Sequence, residues 1–161
     1  MRLLPELLLL LHVFIVMAWL GMDLVVFALS LSLLNRGLPI LIRVERAHIA
    51  EKIDYWVLVA FVLTVPIGLL LVRLKAWPLL DTPWLTLKLA FFGIITLIAV
   101  VILTGAAGTA RTLKQIAAGA GDLEALETRL RRNVIVMAPL ALTIHLSILF
   151  MVFITLNQGL W

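Results

Sequence analysis

Four ionisable side chains lie inside stretches of the chain that are otherwise apolar. His12 and Asp23 belong to LLLLLHVFIVMAWLGMDLVVF (residues 7–27), Lys88 to PWLTLKLAFFG, and His145 to PLALTIHLSILF. A charged group costs about 3 kcal/mol at the centre of a bilayer on insertion scales, so His12 and Asp23 need partners inside the protein. The Lys88 ammonium group can either extend to the lipid headgroups or join His12 in a pocket in the outer leaflet. An imidazole can bind a metal, and an ammonium group can pair with an anion.

The polar residues of the first apolar stretch share one helix face. At about 100° per residue, Trp19 falls roughly 20° behind His12 and Asp23 roughly 20° ahead of it, while Ser30 returns to the same angle. Leu, Val and Phe fill the rest of the helix, so the polar face must look into the protein. Two interpretations stay open. The residues either hold helices together by hydrogen bonds or form a binding site.

The composition indicates that lipid is the outer solvent. The 161 residues are 64% hydrophobic and 14% charged, with a mean hydropathy of +1.19. No soluble domain of this size has enough interior to bury that much apolar surface. The sequence therefore predicts an all-α integral membrane protein, an up-and-down four-helix bundle that forms a single transmembrane domain over residues 1–161. Its helices are expected at about residues 7–34, 53–72, 83–103 and 134–156.

The connections also carry structural signals. PILIRVERAHIAEKIDYW (residues 39–56) is interpreted as an N-terminal extension of the second helix. GDLEALETRLRR (residues 121–132) predicts an early start of the fourth helix, with Asp122 as its N-cap. RLKAWPLLDTP (residues 73–83) is short, so helices two and three are expected to be antiparallel neighbours.

The distribution of Lys and Arg predicts the orientation. Loops one and three carry nine of these residues and the opposite side carries three; the nine are Arg36, Arg43, Arg46, Lys52, Arg111, Lys114, Arg129, Arg131 and Arg132, and the three are Arg2, Arg73 and Lys75. By the positive-inside rule, loops one and three are cytoplasmic and both termini lie outside. The predicted location is the inner (cytoplasmic) cell membrane, as a multi-pass protein. The net charge of +4 is explained by this topology and does not indicate nucleic-acid binding.

The absence of cysteine narrows the metal chemistry. It excludes disulfides, iron–sulfur clusters, thiolate-ligated haem and covalently attached c-type haem. A metal would depend on three histidines, five methionines and the carboxylates. Met17 lies about 140° and Met22 about 80° from His12 around the helix, which argues against a copper path along helix one.

Two stretches carry a family resemblance. LHVFIVMAWLG, with His12 followed by Trp19-x-Gly21, and AWPLLDTPWLTLKLAFF, with Trp84 and Lys88, resemble HemJ-type protoporphyrinogen IX oxidases and the small membrane proteins grouped with copper-resistance protein D. ERAHIAEKIDYWVLVAFVLTVPIGLLL and LRRNVIVMAPLALTI resemble their second and fourth helices more loosely. The resemblance implies a four-helix membrane protein that binds haem b, with His12 as axial ligand and Lys88 as a functional lysine.

One departure from that pattern widens the expectations. HemJ-type proteins are expected to have no histidine in the fourth helix, so His145 makes ligation by two histidines conceivable, which would favour electron transfer. The candidate cofactor-binding residues are His12, His145, Lys88 and Trp19. By helical rise, His12 lies roughly 8–10 Å and His145 roughly 17–18 Å below the outer helix ends, so tilt or a kink would have to bring them together.

Several functions remain open beside a haem-binding redox or electron-transfer protein. The alternatives are an accessory subunit of a larger membrane complex and a HemJ-like porphyrinogen oxidase. The candidate partners are the lipid bilayer, a quinone or porphyrin, and a second copy of the chain or a larger complex.

The orientation generates the first testable prediction. Reporter fusions at Gly119 and Trp161 should give cytoplasmic activity at Gly119 and external activity at Trp161, because loop three is rich in Arg and Lys. Cytoplasmic activity at Trp161 would contradict the orientation.

Overall fold

The computed structural model describes residues 3–79 and 81–157, and its regular structure there consists of four long α-helices: α1 (Leu3–Ser32), α2 (Ile40–Leu74), α3 (Pro83–Ala117) and α4 (Leu123–Leu156). Each helix is long and apolar enough to cross a membrane. The prediction of an all-α fold with four apolar helices is confirmed. Arg2 and Trp161, which the orientation and its test use, lie outside the described residues.

The helices are longer than a bilayer is thick. They contain 30–35 residues, or about 45–52 Å at 1.5 Å per residue, against a hydrocarbon core of about 30 Å. α3 continues to Ala117, although its apolar stretch was expected to end near residue 103. The helices therefore project beyond the hydrocarbon, and their charged turns have room in the aqueous and headgroup regions.

Local signals explain where several helices begin and end. The extension of α2 is confirmed, since that helix starts at Ile40 after Pro39. Asp122 is the N-cap of α4, and its side chain accepts a hydrogen bond of 3.0 Å from the Glu124 N–H, as its residue type predicts. Between α3 and α4, Gly119 has a φ of +64°, a left-handed conformation that glycine adopts without steric cost.

The four helices form two closely packed hairpins, α1 with α2 and α3 with α4. The hairpins meet less extensively, along α2–α3 and α1–α4. Every helix contributes to one buried apolar cluster, hereafter the central cluster, which contains Trp19, Ala60, Ile95, Ile144 and Ile148. This cluster separates the polar side chains near one end of the bundle from those near the other end.

A buried arginine joins three helices at the end formed by the α1–α2 and α3–α4 connections. The Arg43 side chain donates to the Leu33 carbonyl at 2.9 Å and to both Glu127 oxygens at 2.6 Å and 3.0 Å. Arg43 is only 3% exposed. Glu127 precedes the apolar part of α4. The hydrogen bonds from Arg43 hold the pKa of Glu127 below its usual range. This bidentate pair, hereafter the Arg43 clamp, fixes the start of α4 against α1 and α2.

Removing the arginine of this clamp should destabilise the fold strongly. Arg43→Met leaves the largely buried Glu127 carboxylate with only the exposed Arg36, whose Nε atom lies 3.8 Å away. Removing one partner of a buried pair costs roughly 3–5 kcal/mol. Thermal unfolding in detergent measures the effect. The matched control is Arg129→Met, because Arg129 is exposed on α4 and its replacement should change stability by less than about 0.5 kcal/mol. Equal effects of the two replacements would contradict the role of the clamp.

The same clamp predicts the acid dependence of stability. Because the pKa of Glu127 is lower in the folded than in the unfolded protein, its contribution is complete above about pH 5 and is lost as pH falls through the folded-state value. Glu127→Gln should flatten this part of the stability–pH curve.

Candidate functional site

An aspartate and a histidine meet where α1 faces α4. The Asp23 Oδ2 and His145 Nε2 atoms lie 3.2 Å apart, and His145 is only 5% exposed. Asp23 therefore faces protein rather than lipid, as its position on the polar face of α1 predicts. The Phe27 ring packs near the imidazole, with ring centroids 6.0 Å apart.

The other nitrogen of His145 is also engaged. Nδ1 lies 2.7 Å from the Ala141 carbonyl oxygen, one turn earlier on α4. A carbonyl oxygen only accepts hydrogen bonds, so Nδ1 must carry a hydrogen. This bond fixes the ring orientation and leaves Nε2 as the atom that faces Asp23.

His12 occupies a different place, against a glycine of α2. A Cβ atom at Gly68 would lie 3.3 Å from the His12 Cε1 atom, closer than ordinary packing, so glycine leaves room for the imidazole. The Nδ1 atom of His12 is buried, and no hydrogen-bond partner for it occurs among residues 3–79 and 81–157. His12 thus has a buried ring nitrogen whose hydrogen-bonding capacity the described residues do not use.

Lys88 is held by its own helix and by α4. Its ammonium group donates to the Thr155 hydroxyl and lies 4.7 Å from the centre of the Trp84 ring. It is half-buried and lies within electrostatic range of His12. The amine is therefore directed to a protein partner, and its charge is available to the region around His12.

A cavity of about 340 Å³ adjoins the Asp23–His145 pair. Asp23 lines it from α1, and Asp54, Glu51 and Tyr55 line it from α2. Alanines and other small residues form much of the remaining wall: Ala47, Ala50, Ala106, Ala107, Thr109, Ala110, Ala138 and Ala141. Within the described chain, the lining includes three carboxylates and neither lysine nor arginine.

The structure brings some of the sequence-predicted residues together and separates others. Asp23 is 11 residues after His12, about 16 Å along α1, and His145 lies beside Asp23. Two-histidine ligation of one iron does not fit this arrangement, because both imidazoles would have to reach the same metal. Trp19 is 3% exposed and packs edge-on against Phe61, so its observed role is in the central cluster.

Metal chemistry with three or more ligands has no support in the described part of the chain. No group of at least three His, Cys, Asp or Glu residues is placed there to hold an ion. The iron of a haem needs fewer protein ligands, because the porphyrin supplies four nitrogen atoms.

Sequence reasoning missed Asp54, Glu51 and the cavity. A signal was present, because Ala47, Ala50 and Asp54 recur at i, i+3 and i+7 and so share one face of α2. The small residues on that face leave the space that the carboxylate borders. The Arg43 clamp was also missed, because its partner is 84 positions away.

No protein-family model matches this chain, and neither the curated proteins nor the solved structures contain a match.

A double-mutant cycle tests the contact between α1 and α4. Asp23→Ala and His145→Ala should each lower the free energy of unfolding by roughly 1–3 kcal/mol, because each leaves a buried polar atom unpaired. Their effects should be coupled by about 0.5–3 kcal/mol. The control cycle pairs Asp23→Ala with His12→Ala, about 16 Å away along the helix, where additivity within about 0.5 kcal/mol is expected. Additive effects for Asp23 and His145 would contradict the contact.

Proposed function

We propose that this protein is a multi-pass membrane redox protein that binds haem b with His12 as its protein ligand to iron. The observation that carries the proposal is the buried Nδ1 atom of His12, which has no hydrogen-bond partner among the described residues. The resemblance of the His12 and Trp84–Lys88 segments to HemJ-type proteins supports it. When bound, haem supplies one-electron chemistry that no side chain of this protein provides.

The surrounding residues have distinct parts in this proposal. Gly68 leaves the space in which the His12 ring lies. Lys88, oriented by Thr155 and Trp84, supplies a positive charge for a propionate carboxylate. His145 is not included as an iron ligand, because its Nε2 atom faces Asp23.

The orientation is part of the proposal. Loops one and three face the cytoplasm and the α2–α3 connection faces outward, in the inner membrane of the cell. The excess of Arg and Lys at the end that contains the Arg43 clamp supports this assignment. The His12–Lys88 region then lies in the outer half of the bundle, and the cavity lies in the inner half.

Absorbance spectra of detergent-purified protein, produced with an adequate haem supply, test the proposal. The wild type should show a Soret band and, after reduction, α and β bands. His12→Ala should lose the Soret band, and added imidazole should restore part of it by replacing the missing ligand. The matched controls are His48→Ala, which changes an exposed histidine, and His145→Ala; both should retain haem.

The lysine gives a separate readout of the same site. Lys88→Met should lower haem retention without changing the spin state, because Lys88 is assigned to a carboxylate and not to iron. A folded wild type without haem would contradict the proposal and favour the accessory-subunit interpretation. Loss of haem from His145→Ala but not from His12→Ala would contradict the choice of ligand.

A further inference from the structure

We infer that Asp23 and His145 together form a proton-binding site that exchanges its proton through the adjoining cavity. The inference does not rest on haem, since the pair lies about 16 Å along α1 from His12. It concerns groups that the proposed redox site leaves unused.

The contact itself suits a shared proton. Nδ1 of His145 already donates to the Ala141 carbonyl, and Nε2 lies 3.2 Å from Asp23 Oδ2. Without a hydrogen between them, two lone pairs would face each other at this distance. Both atoms are buried, and neither has a hydrogen-bond partner in the described part of the chain. One proton placed between them, on the carboxyl oxygen or on the imidazole, satisfies both atoms at once.

Both positions of that proton leave the pair electrically neutral. With the proton on Asp23, a carboxylic acid donates to a neutral imidazole; with the proton on His145, an imidazolium faces a carboxylate. Either state avoids the cost of a net charge inside the membrane. Release of the proton to water leaves the Asp23 carboxylate beside neutral His145, and uptake restores the neutral pair.

The cavity gives this proton a route. Asp23 lines it, and so do Glu51 and Tyr55, both of which are exposed at the surface of α2. The volume of about 340 Å³ holds several water molecules at about 30 Å³ each, and carboxylates and hydroxyl groups in the lining give them polar partners. Asp54 lies within electrostatic range of Asp23 and provides an acceptor along the route.

The route has one open direction. On the other side of the pair, towards His12, the central cluster fills the bundle: Trp19 is 3%, Ile95 0% and Ile148 1% exposed. Such packing leaves no space for a water chain. The pair therefore exchanges with the side on which Glu51 lies, which is the cytoplasmic side in the proposed orientation.

Apart from Asp23 itself, the charged groups in the described lining come from α2 alone. Asp54 and Glu51 face the cavity from α2, and α3 contributes only uncharged residues to the described lining, Thr109 among them. On α4 the facing group is His145 itself. Asp54 lies within electrostatic range of Asp23, and a negative charge on Asp54 disfavours a second one on Asp23.

The first test asks whether the proton is present and belongs to the pair. Wild-type protein in lipid nanodiscs should give an infrared signal of a protonated carboxylic acid, an NMR signal of an imidazolium, or both, with sensitivity to D₂O. On titration from alkaline to neutral pH, it should take up one more proton per chain than Asp23→Asn, because an ordinary carboxylate would take up none in this range. The asparagine amide can still donate to Nε2, so this variant keeps a hydrogen bond but loses the exchangeable acid.

The second test asks whether the cavity is the route. Ala110 lines the cavity, and Ala110→Phe should slow deuterium exchange at the pair by about tenfold or more, since exchange must then wait for local opening. The matched control is Ala90→Phe, which adds the same side chain at an exposed position of α3. Its exchange rate should equal that of the wild type.

Three results would overturn the inference. They are a wild type with neither signal, an equal proton count for Asp23→Asn, and equal exchange rates for Ala110→Phe and Ala90→Phe. If Asp23→Asn fails to fold, ¹³C-aspartate labelling of the wild type decides the first question, since the chain has only four aspartates. An Asp23 signal and a His145 signal that both lack the shared proton would then overturn it.

Discussion

An ionisable side chain that faces hydrocarbon without a partner is costly, and this constraint determines which sides of the four helices face one another. Apolar packing alone cannot do so, because lipid tails are as apolar as leucine and give no hydrophobic preference for another helix. Asp23 turns α1 towards His145 of α4, and Lys88 turns α3 towards Thr155 of α4. The polar groups therefore specify rotations that the leucines and valines leave free.

The seam between α1 and α4 depends most on such contacts. These helices belong to different hairpins and pack less extensively than the helices within a hairpin. The Arg43 clamp connects α4 to α1 and α2 at one end, and Asp23 meets His145 deeper in the bundle. With two fixed points at different depths, α4 can neither rotate about its axis nor slide along α1 without breaking a buried polar contact.

Much of this structure follows from local sequence signals, and the remainder depends on pairings between distant residues. Apolar length predicts four helices, the residue type of Asp122 predicts a cap, and the 100° periodicity predicts that Asp23 faces protein. Periodicity specifies a side of one helix but not which helix lies opposite. The partner of Asp23 is 122 residues further along the chain, and helical depth separated His145 from His12 without indicating which residue it meets. The length of the apolar stretch also failed to predict where α3 ends, because that helix continues beyond the apolar stretch to Ala117.

The rigid helix α1 sets the relation between the two halves of the bundle. It carries His12 and Asp23 about 16 Å apart, with Trp19 of the central cluster between them, so no water chain connects the two sites. The two sites can still interact electrostatically. Loss of the proton proposed at Asp23 and His145 would change the local charge by one unit, and at an effective dielectric constant of about 20 this acts on a unit charge 16 Å away by about 1 kcal/mol. A proton bound by Asp23 and His145 would thus bias an electron on the haem proposed near His12 by somewhat less than tenfold, without any movement of the helices.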